Sequence, residues 1–204
     1  MTLPNYLTVL RMFLTPVLAV TLVSERLNTS LYLFILAGLT DWFDGYLARR
    51  SNNVTAVGKM LDPLADKLLV TTVLGVFVAK GYFPLWMFLV ILIRDVLITV
   101  LRQYALSKHQ PLKTTRVAKW KTATQMTAIY FILIWRIAVV NASESPVALS
   151  LLEHIERLNL VYALMLFVTL FTLASGLTYL VENRRLLKNL AIAFYRVFVP
   201  TNVS

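Results

Sequence analysis

The sequence has no cysteine, only two histidines, and ten acidic residues against twenty lysines and arginines in 204 residues. Without cysteine there is no disulfide framework, no thiolate metal site and no thiol nucleophile, and composition is silent on redox compartment. Charge is scarce too: 15% of residues are charged, against about a quarter in soluble domains, while 58% are hydrophobic and the mean hydropathy is +0.71. That balance belongs to a membrane protein. Internal repeats and low-complexity tracts are also lacking, and the only linkers are short polar turns such as SERLN, AKGYFP and NASESP. One membrane domain over 1–204 is expected, with an N-terminus retained for want of a small-residue cleavage site.

What is present is a succession of apolar runs, roughly 10–24, 29–47, 61–79, 83–103, 119–140 and 158–181. They are continuous rather than alternating, and backbone polar groups in hydrocarbon must be satisfied within a helix or a closed barrel. The expected architecture is therefore all-α and integral to the membrane, with six transmembrane helices and interfacial segments at the N- and C-termini. Stringing the runs together puts Arg11, Arg49, Arg50, Lys59, Lys108, Lys113, Arg116, Lys119, Lys121, Arg184, Arg185, Lys188 and Arg196 on one side. Arg26, Lys80 and Arg157 fall on the other, so the first side is cytoplasmic and holds both termini. The net charge of +10 sits at helix ends with few aromatics interleaved, which fits anionic headgroups and not nucleic acid. The C-terminal ENRRLLKNLAIAFYRVFVP mixes arginines with leucines and aromatics, as an interfacial amphipathic anchor does.

Four of the five aspartates crowd into TDWFDGYLARRSNNVTAVGKMLDPLADKLL. Asp41 and Asp44 are three apart and Asp62 and Asp66 four apart, so each pair projects from one helix face. The polar ARRSNNVTAVG between them turns the chain back and lets the pairs face each other. Four uncompensated carboxylates near hydrocarbon would cost on the order of 10 kcal/mol. Arg49, Arg50, Lys59 and Lys67 are close, but can snorkel to the headgroups. Two hard divalent cations, Mg²⁺ or Mn²⁺, balance four carboxylates with the all-oxygen ligation they prefer. Asp62 before Pro63 also reads as a helix N-cap followed by proline at the first helical position, which accounts for one acid of the four. Gly45, Ala48 and Gly58 beside the acids would let a bulky ligand approach the backbone.

DxxDGxxAR at Asp41 to Arg49, then eight residues, then GxxxDxxxD at Gly58 to Asp66, resembles the signature of the CDP-alcohol phosphotransferases at every fixed position. The PNxLTxxR segment (Pro4, Asn5, Leu7, Thr8, Arg11) is similar as well. The resemblance implies transfer from a CDP-linked lipid or alcohol to an acceptor hydroxyl with release of CMP. It implies that Asp41, Asp44, Asp62 and Asp66 bind two divalent ions, that Asp66 also acts as the base, and that Asp41, Gly45, Ala48, Arg49 and Gly58 contact the CDP-lipid. It further implies a homodimer.

Arg94 and Asp95 interrupt the apolar run FPLWMFLVILIRDVLITVLRQY, and an ionisable group at that depth faces inward and is functional by default. Arg102 follows eight residues on, about 80° round the helix and roughly 12 Å along it. Lys119 and Lys121 open the fifth apolar run beside Arg116. Together they suggest a cationic pocket for an acceptor that carries phosphate. The alternative is that Arg94 pairs with Asp95 and the lysines are ordinary cytoplasmic charges. IRDxxxxxLR and AKWKTxxQ resemble the phosphatidylglycerophosphate synthase branch of the family, although that branch often has glutamate where Asp95 stands. By that likeness the substrates are CDP-diacylglycerol and glycerol 3-phosphate, with Arg94, Arg102, Lys119, Arg116 and Lys121 on the acceptor. The expected setting is a multi-pass protein of the bacterial inner membrane, surrounded by membrane lipids, with its active site facing the cytoplasm.

Rival readings are a sister enzyme accepting phosphatidylglycerol, inositol phosphate or serine, a divalent-cation transporter, and a prenyl transferase. Acids confined to one membrane face, in a single tandem, argue against the last two. His109 and His154 are expected to be solvated loop residues.

Overall fold

A computed structural model describes residues 3–51, 56–107, 116–142, 157–184 and 187. Six long helices fill them: α1 (Leu3–Val23), α2 (Leu27–Ser51), α3 (Ala56–Ala79), α4 (Leu85–Ser107), α5 (Arg116–Asn141) and α6 (Leu160–Glu182). Among the described residues no strand occurs.

Each apolar run falls mainly on one helix, and the helices outlast the runs at the charged end. Thus α2 continues to Ser51, α3 begins at Ala56 and α4 reaches Ser107. Hydropathy marks where side chains suit hydrocarbon; backbone hydrogen bonding continues through arginine, lysine and alanine, which are good helix formers in water. One consequence is a correction. Asp62 lies in the second turn of α3, so it is no N-cap and Pro63 is not a first helical residue.

At the opposite end the turns are tight. Helix α3 stops at Gly81, whose φ of 76° is the left-handed conformation that lets Tyr82 N–H reach the Phe77 carbonyl at 3.0 Å. Glu25 adopts φ 57° in the α1–α2 turn, and its Oε1 accepts a 2.9 Å hydrogen bond from Lys80 Nζ. Arg136 lies over the Tyr82 ring, 4.9 Å from its centre. Two turns and α5 are thereby clasped at one end. The Lys80 hydrogen bond and charge, aided by Arg136, hold the exposed Glu25 carboxyl below its usual range. A lowered carboxyl contributes above its unfolded range, so the clasp persists there and is lost as pH falls through the lowered value.

Helix α1 packs on both α2 and α3; α6 packs on α4 and α5; α2 and α3 complete the bundle against α5 and α4. The core is a layer of aliphatic and aromatic side chains that includes Leu18, Phe34, Phe77, Met87, Ile129 and Met165. The outside is equally apolar, with Phe13, Tyr32, Ile93, Phe167, Leu177 and Val181 all exposed. Trp120–Asn141 and Leu160–Glu182 are each long and apolar enough to cross a membrane, while Thr8–Val23 and Lys67–Ala79 are shorter apolar segments.

Candidate active site at one end of the bundle

The chain's up-and-down course brings the start of α1, the end of α2, the start of α3, the end of α4, the start of α5 and the end of α6 to one end. Two charged clusters lie there. In the first, Arg11 of α1 is fully buried and its Nη1 is 2.8 Å from Oδ1 of Asp41, whose side chain is 48% exposed. Thr8 and Thr15 continue a buried polar stripe on the same face of α1, and the Thr15 hydroxyl donates to the Arg11 carbonyl at 2.8 Å. The sequence reading had placed Arg11 only among the cytoplasmic charges and in PNxLTxxR; its ion pair with the first aspartate was not legible.

The second cluster is built round Asp95. Lys121 Nζ, nearly buried, donates to both carboxylate oxygens at 2.7 and 2.5 Å, and Arg94 Nη1 lies 3.1 Å from Oδ1. Arg94 Nη2 donates to Ser175 Oγ of α6 at 3.1 Å, and Lys67 Nζ of α3 donates to the Asp95 main-chain carbonyl at 3.0 Å. Thr99 Oγ also donates to that carbonyl, at 2.6 Å. Three helices thus meet at Asp95, and Arg94 ties α6 to them through Ser175.

Arg94 and Lys121 are brought together as expected, but joined by an acid rather than standing as open cations: the alternative reading, Arg94 with Asp95, is what the structure has. Lys67 points into this cluster instead of snorkelling. Arg102 stands apart along α4, half-buried, its buried Nε without a hydrogen-bond partner among the described residues. Ser175 had no signal in the sequence, because a serine in an apolar helix is ordinary. The side chains of Asp44, Gly45, Ala48, Arg49, Gly58, Asp62, Asp66, Arg116 and Lys119 lie outside the described residues, as do His109, His154 and all but one residue of the C-terminal stretch beyond Arg184. The helices that carry the first nine are described, and they put both aspartate pairs at this end.

Close approach of α4 and α6 depends on Gly176. A Cβ there would fall 2.9 Å from Arg94 Cγ, too near to be accommodated without displacing the arginine. Beside this contact an apolar groove of about 570 Å³ opens between the helices, lined by Val90, Ile93, Leu97, Leu173 and Leu177, with Arg94 in its wall.

Among the described residues two cations, Arg94 and Lys121, face the single Asp95 carboxylate in the second cluster, with Lys67 on its main-chain carbonyl. Such a surplus attracts an anion. Carboxylate oxygens are the donors that hard divalent ions take, and Asp41 of the first cluster offers them. Among the described residues no three potential ligands are gathered, Asp41 being the one member of the quartet whose side chain is described.

Known proteins share this arrangement of sequence. A protein of Wigglesworthia glossinidia brevipalpis is 38% identical over 143 residues, 66% of this chain and 77% of its own. One of Cereibacter sphaeroides is 40% identical over 139 residues, 65% of this chain and 63% of its own. One of Mycoplasma pneumoniae is 33% identical over 177 residues, 75% of this chain and 78% of its own. All three are named CDP-diacylglycerol–glycerol-3-phosphate 3-phosphatidyltransferase. The match to the family described as CDP-alcohol phosphatidyltransferase runs over residues 1–179, enclosing both clusters and all four aspartates, and the chain belongs to that family.

Proposed function

We propose that this chain transfers the phosphatidyl group of CDP-diacylglycerol to sn-glycerol 3-phosphate, giving phosphatidylglycerophosphate and CMP. The observation that carries the choice of acceptor is the Arg94–Lys121 pair, two cations on the one Asp95 carboxylate at the same end as the aspartate helices. A neutral alcohol would not need that surplus; a phosphate monoester does.

In this reading the protein is a multi-pass protein of the bacterial inner membrane with the charged end at the cytoplasmic face. The apolar outside of the bundle and its clasped far turns support that placement. The α4–α6 groove gives an acyl chain lateral access beside Arg94. Asp41, Asp44, Asp62 and Asp66 would hold two Mg²⁺ or Mn²⁺ ions, while Gly45, Ala48, Arg49 and Gly58 accommodate the cytidine nucleotide. When bound, such ions neutralise the diphosphate and the charge that develops on departing CMP. Arg94 and Lys121, with Arg102, Lys119 and Arg116 nearer the cytoplasm, hold the acceptor phosphate and so orient its free hydroxyl. Asp66 takes the hydroxyl proton as the oxygen bonds to the lipid-side phosphorus. The bond to CMP breaks and CMP leaves with the electron pair. A homodimer completes the reading.

Purified protein given labelled CDP-diacylglycerol is expected to release CMP with glycerol 3-phosphate and not with serine, inositol phosphate or phosphatidylglycerol. Transfer to serine with none to glycerol 3-phosphate would overturn the acceptor. Gly176→Ala is expected to raise the apparent KM for glycerol 3-phosphate by roughly tenfold, as Arg94→Ala does, with a smaller change in kcat, because it pushes Arg94 off Ser175 and Asp95. Steady-state kinetics with varied acceptor check this; an unchanged KM would detach Arg94 from the acceptor.

A further inference from the structure

The N-terminal segment ending at Arg11 has no part in the chemistry above, yet it places a permanent cation in the interior. Arginine stays charged at any physiological pH, and a guanidinium out of contact with solvent persists only where anions compensate it. Arg11 is fully buried, and one anion it meets is Asp41, the first of the four acids. The helix that carries it packs on both α2 and α3, the two helices that bear the aspartate pairs. Asp41 remains 48% exposed with Arg11 already engaged, so one side of the carboxylate meets the guanidinium and the other stays open to a second cation.

We infer that Arg11 is a positioning residue for Asp41: an internal counter-cation, delivered by α1, that holds the acid-bearing end of the bundle together before metal arrives and shares that task with the metal afterwards. The inference rests on the divalent-ion site of the proposed function. Four like charges on two helices repel one another, and in the metal-free protein a fixed cation from a third helix offsets part of that repulsion. Bound metal offsets it more fully. Loss of Arg11 should therefore matter most when metal is absent, whereas a residue that only fills space is missed equally in both conditions.

The experiment is thermal unfolding of the full-length protein in detergent, in EDTA and in saturating Mn²⁺, for wild type, Arg11→Met and Arg11→Lys. Wild type should gain Tm on adding Mn²⁺ because metal binds the folded state. Arg11→Met is expected to lose Tm in EDTA and to regain most of the loss in Mn²⁺, so its metal-induced rise exceeds that of wild type. Arg11→Lys keeps the charge and should follow wild type in both buffers. An equal deficit for Arg11→Met in both buffers, or its failure to fold in either, marks a metal-independent structural role and overturns the inference, as does an Arg11→Lys that behaves like Arg11→Met. A wild type with no Mn²⁺ response would instead refute the metal site itself.

Discussion

Asp66→Asn is expected to reduce turnover by roughly 10²- to 10⁴-fold while leaving CDP-diacylglycerol binding largely intact, the range that a positioned general base contributes. Asparagine matches aspartate in size and keeps one oxygen for ligation, but cannot take a proton. Placement supports the role. Asp66 precedes Lys67, whose ammonium reaches the Asp95 carbonyl at 3.0 Å, so this part of α3 faces the Asp95 cluster. Ala65 and Leu69 are buried in the bundle and fix this part of α3. A single-turnover assay of CMP release, run beside a binding assay for the nucleotide lipid, separates the proton acceptor from a binding residue. Undiminished release would remove Asp66 from the base role; lost binding with normal single-turnover chemistry would make it a ligand alone.

The number and order of the long helices among the described residues were legible because each contains an apolar run and neighbouring runs are parted by polar turns. The ends were not. Residues 48–51 and 56–60 carry arginine, lysine, serine, glycine and asparagine neighbours, which hydropathy reads as connection, whereas the backbone stays helical through Ser51 and resumes at Ala56. That difference moves Asp62 from a cap position into a helix interior. The aspartate spacing of three and four is independent of where the helix ends fall, and both pairs lie within helices.

Pairing between distant helices was much harder to see. The sequence marks Arg94, Asp95 and Lys121 as charges in or beside apolar runs, but periodicity cannot say that Lys121 closes on Asp95 while Arg102, on the same helix, stays outside the cluster. Arg11 posed the same problem. An arginine one to two turns into the first helix looks like a headgroup anchor until α1 is known to pack on α2 at Asp41.

Asp95→Ala is expected to be the most destabilising single substitution in the charged end, by about 3–5 kcal/mol, because it strands a buried cation. Lys121 has a side chain only 5% exposed and donates hydrogen bonds to both oxygens of this carboxylate. Arg94 loses its acid too, keeping Ser175. The reverse substitution, Lys121→Met, leaves Asp95 paired with Arg94 and should cost much less, since a thioether fills the lysine stem's space and no charge is orphaned. Asp95→Glu retains the acid and should lie between them, limited by the extra methylene it must fit. Thermal unfolding of the three variants in detergent gives the order. The same measurement with glycerol 3-phosphate carries the functional content: a phosphate drawn to Arg94 and Lys121 replaces the missing carboxylate, so the ligand should raise the Tm of Asp95→Ala by more than that of wild type. If Asp95→Ala is no less stable than Lys121→Met, the carboxylate is not what ties α5 to α4; if the ligand does not favour the variant, the cations round Asp95 are structural and the acceptor binds elsewhere.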